Sequence, residues 1–243
     1  MIFLKAKNPT TLWLNLGDAF FRYRGIIDCE IAKRRFISKM NILEIEEWSL
    51  NWTGKAILDL VGYSKRGSKL KTLRNTYIDE QRFTLLKKIV QNIIKDKSKG
   101  YFVTGMNFTM QVVKKGKGGC LSSFHVIRGM DGEWEINIHA KTAEIPRKFA
   151  ADMVMVANMI RELNLPVKKV KVVFMLTSMY FSIISLRVYV KLLGLKKKDF
   201  RGLPIMEPRN YQKNAWQAIE EFAKTLGKGP VWKKLNLERG EWK

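Results

Sequence analysis

Cys120 is the residue whose chemistry is most readily named. It closes the run KKGKGGC, residues 114–120, where Lys114, Lys115 and Lys117 stand near the thiol. The thiolate is the nucleophile, and neighbouring positive charge favours it over the thiol. Gly118 and Gly119 carry no side chain, so a ligand can approach the backbone closely. Addition of the sulfur to an electrophilic carbon is the chemistry these residues offer. The alternative is a small apolar residue at the start of a strand. Other chemistry has little material. His125 and His139 are the only histidines, and the second cysteine, Cys29, forms no CxxC pair. A Ser-His-Asp triad, a zinc site and a disulfide framework are therefore not expected, and no metal is. A lone strand histidine such as His125 reads first as a structural group. Arg22 and Arg24 are weaker candidates for anion contacts, from an early basic segment.

The elements that must position Cys120 follow from periodicity. After a threonine cap, Leu12, Leu16, Ala19 and Phe20 in residues 10–24 recur at helical spacing. ILEIEEWSLNW and AILDLVGY, within 41–63, are expected to form a short helix and a second one. Residues 64–75 are basic, contain Gly67 and read as a loop. Residues 78–96 form an amphipathic helix, with Phe83, Leu86, Ile89, Val90, Ile93 and Ile94 on one face and Asp79 and Glu80 at its start. From 101 the period changes to two. Residues 101–113 are strand-like, and 122–128, the turn 130–132 and 133–141 form a hairpin. In its second strand Trp134, Ile136, Ile138 and Ala140 alternate with Glu135, Asn137, His139 and Lys141. A long helix is expected over 146–165, a strand over 170–176, and helices over 179–194 and 211–227. With no repeat and no linker, residues 1–243 read as one α+β domain.

Composition bounds the partners. The chain has 45 Lys+Arg against 22 Asp+Glu, a formal net charge of +23. Such a balance attracts polyanions, nucleic acid among them, although it also serves solubility. Trp216, Trp232 and Trp242 lie near basic residues and could stack on bases, or pack in a core. No apolar run is long enough to span a bilayer, and MIFLKAKNPTT is too short a run for a signal peptide. The expected location is cytoplasmic.

The order of elements around Cys120 resembles the thymidylate synthase and deoxynucleotide hydroxymethylase family, best over residues 76–190. Asp79 and Gln81 resemble the family's Asp-Gln pair, and Lys97-Ser98-Lys99 stands where its Ser-Arg-Arg phosphate motif would be. Gly118-Gly119-Cys120-Leu121 takes the place of the catalytic cysteine, without the histidine that follows it there. Lys141-Thr142-Ala143-Glu144 resembles Arg-Ser-x-Asp, Lys148 falls on the base-reading asparagine, and Ser178-Met179-Tyr180 resembles His-x-Tyr. The family's Tyr-Gly-x-x-Trp segment has no counterpart between about 64 and 76.

The resemblance implies a mixed twisted sheet covered by helices and a homodimer formed by stacked sheets, with the apolar face of the 101–141 strands in that role. It implies a pyrimidine deoxynucleotide substrate, 5,10-methylenetetrahydrofolate as one-carbon donor, and a C5 methyl or hydroxymethyl transfer begun by Cys120. Lys97, Ser98, Lys99, Lys141, Thr142, Glu144, Lys148 and Tyr180 would hold the nucleotide. Lys141 is the strongest of the cations, because it ends a strand on the face of Asn137 and His139. The general acid or base would be one of Glu44, Glu46 and Glu47, with Glu47, next to Trp48, taken for the catalytic pair with Cys120. The replaced ligands keep a second reading open: the same fold, catalytically altered or inactive, binding nucleic acid through its basic surface.

Overall fold

A computed structural model describes residues 2–22, 27–30, 35–60, 74–75, 78–96, 100–108, 120–145 and 147–182. Their order is β1 (Ile2–Ala6), α1 (Pro9–Arg22), β2 (Ile27–Glu30), β3 (Arg35–Ser49), α2 (Lys55–Leu60), α3 (Glu80–Lys95), β4 (Phe102–Asn107), β5 (Leu121–Arg128), β6 (Trp134–Glu144), α4 (Arg147–Glu162) and β7 (Lys169–Ser182). The strands form one mixed seven-stranded sheet in the order β1-β3-β7-β6-β5-β4, with β2 beside the first part of β3. β1 runs parallel to β3 and β6 parallel to β7, while the other pairs are antiparallel. The fold is α+β.

Alternation gives the sheet two unlike faces. On the first, Leu4, Leu43, Phe174, Ile138, Phe124 and Met106 are register partners in one row across six strands, and all are buried. Burying each such large side chain stabilises by about 1.5–3 kcal/mol. The helices cover this face. Phe149 of α4 meets Phe174 edge-on, with centroids 5.2 Å apart, and α4 is buried along nearly its whole length. Asn8 caps α1, its Oδ1 accepting from the Thr11 N–H at 2.9 Å; Pro9 then occupies the first turn, where its missing N–H costs nothing. The cap is thus Asn8 rather than a threonine. Asp79 caps α3 by accepting from the N–H groups of Gln81 and Arg82. Arg74 and Lys87 bind Glu162 at the end of α4 and lock α3 to it.

The second face is mixed and half-buried. One row reads Lys5, Glu44, Val173, Asn137, His125 and Gly105; the next reads Phe3, Ile42, Met175, His139, Ser123 and Asn107. A chain of ion pairs crosses four strands here, from Glu135 to Lys171 (3.2 Å), Glu44 (3.6 Å), Lys5 (3.5 Å) and Glu46 (2.7 Å).

Three expectations are corrected. ILEIEEW is part of strand β3, not a helix, so Glu44 lies on a sheet face. Residues 179–182 continue β7 rather than beginning a helix. The apolar face of the 101–141 strands, expected to stack on a second copy, is filled by helices of the same chain. The helix over 78–96, the hairpin and the long helix after it are present as read. The turn between β5 and β6 holds Gly132 at φ 85, a conformation open to glycine. The expected helix over 211–227 lies outside the described residues.

Candidate functional site

Cys120 stands immediately before β5, half-buried against the core. Its carbonyl accepts from the Lys141 N–H at 2.7 Å, so the thiol-bearing residue is fixed to the last turns of β6. β6 and β7 run parallel there, and their register carries Thr142 to Ser178 and Glu144 to Tyr180. Two further bonds close the arrangement. Ser178 Oγ donates to the Lys141 carbonyl at 3.3 Å, and the Ile145 N–H donates to the Tyr180 carbonyl at 2.9 Å. Cys120, Lys141, Thr142, Glu144 and Tyr180 therefore converge on one end of the sheet, although 60 residues separate the first from the last in the chain.

Lys148 joins them through the first turn of α4. Glu144 is buried, and its carboxylate meets Lys148 Nζ at 3.2 Å and Arg147 Nη2 at 3.5 Å. A buried carboxylate needs such partners, because desolvating an unpaired charge is costly. One helical turn beyond Lys148 lies Asp152, wholly buried. Burial pushes its carboxyl up to about 7, Lys148 opposing and Glu144 adding to the shift. A carboxylic acid poised near neutrality beside a second carboxylate and a cation is suited to holding or moving a proton. Met40, opposite this end on β3, is 63% exposed and adopts φ 53, which is strained for a side chain of its kind.

Glu47 is elsewhere. It lies near the far end of β3, between the pairs Ile45–Val172 and Trp48–Val170, whereas Cys120 is level with the Ala140–Leu176 region. The offset is about five residues of β7, roughly 17 Å at the rise of a strand. Lys169 Nζ sits 2.6 Å from the Glu47 carboxylate, and that hydrogen bond holds the carboxyl below its ordinary value. Glu44 and Glu46 belong to the ion-pair chain of the second sheet face. None of the three carboxylates is brought to Cys120.

Lys97, Ser98, Lys99, Lys114, Lys115, Lys117, Gly118 and Gly119 lie outside the described residues, as do Arg24, Trp216, Trp232 and Trp242. Arg22 is the last residue of α1. Asp79 has a structural task as the cap of α3. Sequence reading passed over Arg147 and Asp152. The signal for Asp152 was its acid group inside FAADMVMVANMI, the only charged residue of an otherwise nearly apolar stretch.

Among the described residues no helix is long and apolar enough to cross a membrane. No protein-family model matches the chain, and no curated protein matches it either.

Proposed function

We propose that the Cys120 end of the sheet is a nucleotide site, and that the chain is a divergent C5 methyl- or hydroxymethyl-transferase of thymidylate synthase-like fold. The observation that carries this reading is the convergence of Cys120, Lys141, Thr142, Glu144, Lys148 and Tyr180. Residues chosen by resemblance alone need not meet in space. Here strand register and the first turn of α4 put the backbones of all six at one end of the sheet, with Lys148 in contact with Glu144 and Lys141 turned to the face of His139.

In this reading the Cys120 thiolate adds to C6 of a pyrimidine deoxynucleotide. The electron pair of the 5,6 double bond then makes C5 the nucleophile, and C5 attacks the one-carbon unit of the co-substrate 5,10-methylenetetrahydrofolate. Loss of the C5 proton with cleavage of the remaining carbon–nitrogen bond releases tetrahydrofolate and leaves a methylene group on C5. Hydride from that tetrahydrofolate, which becomes dihydrofolate, or hydroxide from water adds to the methylene as the thiolate leaves C6, giving the methyl or the hydroxymethyl product. Lys141 supplies positive charge at the phosphate, and the Tyr180 hydroxyl is available to the sugar. Asp152 replaces Glu47 as the carboxyl able to hold a proton at this end of the sheet. A homodimer belongs to the same proposal, stacked through the second sheet face, because the first is filled.

A second reading is favoured by the distance of Glu47 from Cys120 and by the +23 charge: the same fold binding nucleic acid through its basic surface without one-carbon chemistry. One experiment separates the two. The protein is incubated with 5-fluoro-dUMP and methylenetetrahydrofolate and analysed by mass spectrometry. A covalent adduct on Cys120, lost in Cys120→Ser, is expected. Its absence, together with polynucleotide binding that weakens steeply with salt, overturns the transferase in favour of the second reading.

A further inference from the structure

The chain's two histidines are 14 residues apart in sequence, yet the antiparallel register of β5 and β6 places them side by side on the second sheet face. His125 faces Asn137 and His139 faces Ser123, so the two imidazoles are diagonal neighbours. Their ring centroids are 5.6 Å apart and their planes 78° apart. Beside them, the Asn137 side-chain oxygen is buried with no hydrogen-bond partner. A buried carbonyl oxygen left unmatched calls for a ligand. The place is also shaped for the His125 ring. Gly105 is its register partner on β4, and a Cβ there would lie 2.2 Å from His125 Cδ2. Only a glycine lets the imidazole lie against the strand.

We propose that His125, His139 and the Asn137 amide oxygen form a binding site for a divalent transition-metal ion of the zinc, cobalt or nickel type. The spacing supports it. An ion about 2.0–2.1 Å from a ring nitrogen lies about 3.2 Å from the ring centroid, so two rings sharing one ion at tetrahedral to trigonal angles have centroids about 5.2–5.6 Å apart. Neutral imidazole is the ligating form of each ring. Among the described residues no group of three or more His, Cys, Asp or Glu is placed to hold one ion. The ion would thus have two strong nitrogen donors and one weak oxygen donor, leaving positions open to water or to the same residues of a second copy. The site is independent of the nucleotide reading, since it needs neither Cys120 nor a nucleotide.

The test uses the full chain freed of metal by a chelator. Zn²⁺ and Ni²⁺ are titrated calorimetrically near neutral pH, and Co²⁺ is followed by its visible absorption. Saturable binding is expected, at one ion per chain, or one per two chains if a second copy completes the shell. His125→Gln and His139→Gln keep a polar side chain of similar length, and circular dichroism checks their fold. Each should weaken binding by more than about tenfold, because each removes one of the two strong donors. Asn137→Ala should weaken it less. No binding at millimolar metal, or binding unchanged in the folded double histidine variant, overturns the proposal.

Discussion

Replacing Asp152 with asparagine removes the one described carboxyl that is wholly buried with its ionisation displaced to near neutrality. In the folded chain that group releases its proton at about 7, against an ordinary 3.8. Burial is the main cause; Lys148 on the same helix lowers the value and Glu144 on β6 raises it. The folded state therefore holds the proton more tightly than the unfolded state does. The stabilising contribution is complete below the unfolded value, declines as pH rises between the two, and is lost above about 7. Each pH unit in that window changes stability by about 1.4 kcal/mol. Between about pH 5.5 and pH 8 the wild type should lose about 2 kcal/mol from this group, whereas Asp152→Asn has nothing there to titrate. Urea denaturation of both proteins at the two pH values measures it. Histidine titration is common to both and cancels in the comparison. The stability of the variant relative to wild type should rise by about 2 kcal/mol from the lower pH to the higher. A difference that stays constant would refute the buried, protonated Asp152.

Three further outcomes test the frame around the site. Gly105→Ala puts a Cβ 2.2 Å from His125 Cδ2 and 2.7 Å from the Phe124 carbonyl; a loss of about 1–3 kcal/mol is expected in denaturant melts, with a displaced His125 ring resonance. Phe174→Ala empties the centre of the apolar row and should cost about 3–5 kcal/mol by the same melts. Glu162→Gln weakens the carboxylate that Arg74 and Lys87 share; these half-exposed pairs are partly screened, so about 1 kcal/mol is expected, shrinking at high salt.

Several elements were legible because local pattern and tertiary role agree. The β5–β6 hairpin alternates without a break, and its turn has glycine where φ is positive. Helix α3 announces itself with Asp79 as cap and four buried residues at helical spacing. Strand β3 was misread for a physical reason. Its register shifts between Ile45 and Trp48, and this bulge breaks the period of two, so Ile42, Ile45 and Trp48 recur every three residues as they would on a helix. β7 was split for a related reason: as a central strand it is apolar over much of its length, and such a run does not declare where a strand ends.

What could be read of the candidate site was its placement along those elements. Lys141, Thr142, Glu144 and Lys148 lie on β6 and the start of α4, elements whose order could be read, with Cys120 just before β5; Tyr180 lies on the part of β7 read as a helix, and register alone puts it at the same end of the sheet. Glu47 lies on the strand that was misread. Taken as a helix, ILEIEEW could be packed anywhere, whereas as β3 it is bound by register to the opposite end of β7. The neighbourhood of His125 and His139 needed the pairing of two strands, which alternation within each strand does not supply.

The most direct measurement is a titration of the ¹⁵N-labelled chain with dUMP and, separately, dCMP, followed by amide chemical shifts. The account predicts saturable shifts concentrated at Cys120, Lys141, Thr142, Glu144, Lys148 and Tyr180, with Lys141→Ala weakening the binding while leaving the fold intact. Shifts confined to other surfaces, or no saturation with either nucleotide, would contradict a nucleotide site at the Cys120 end of the sheet.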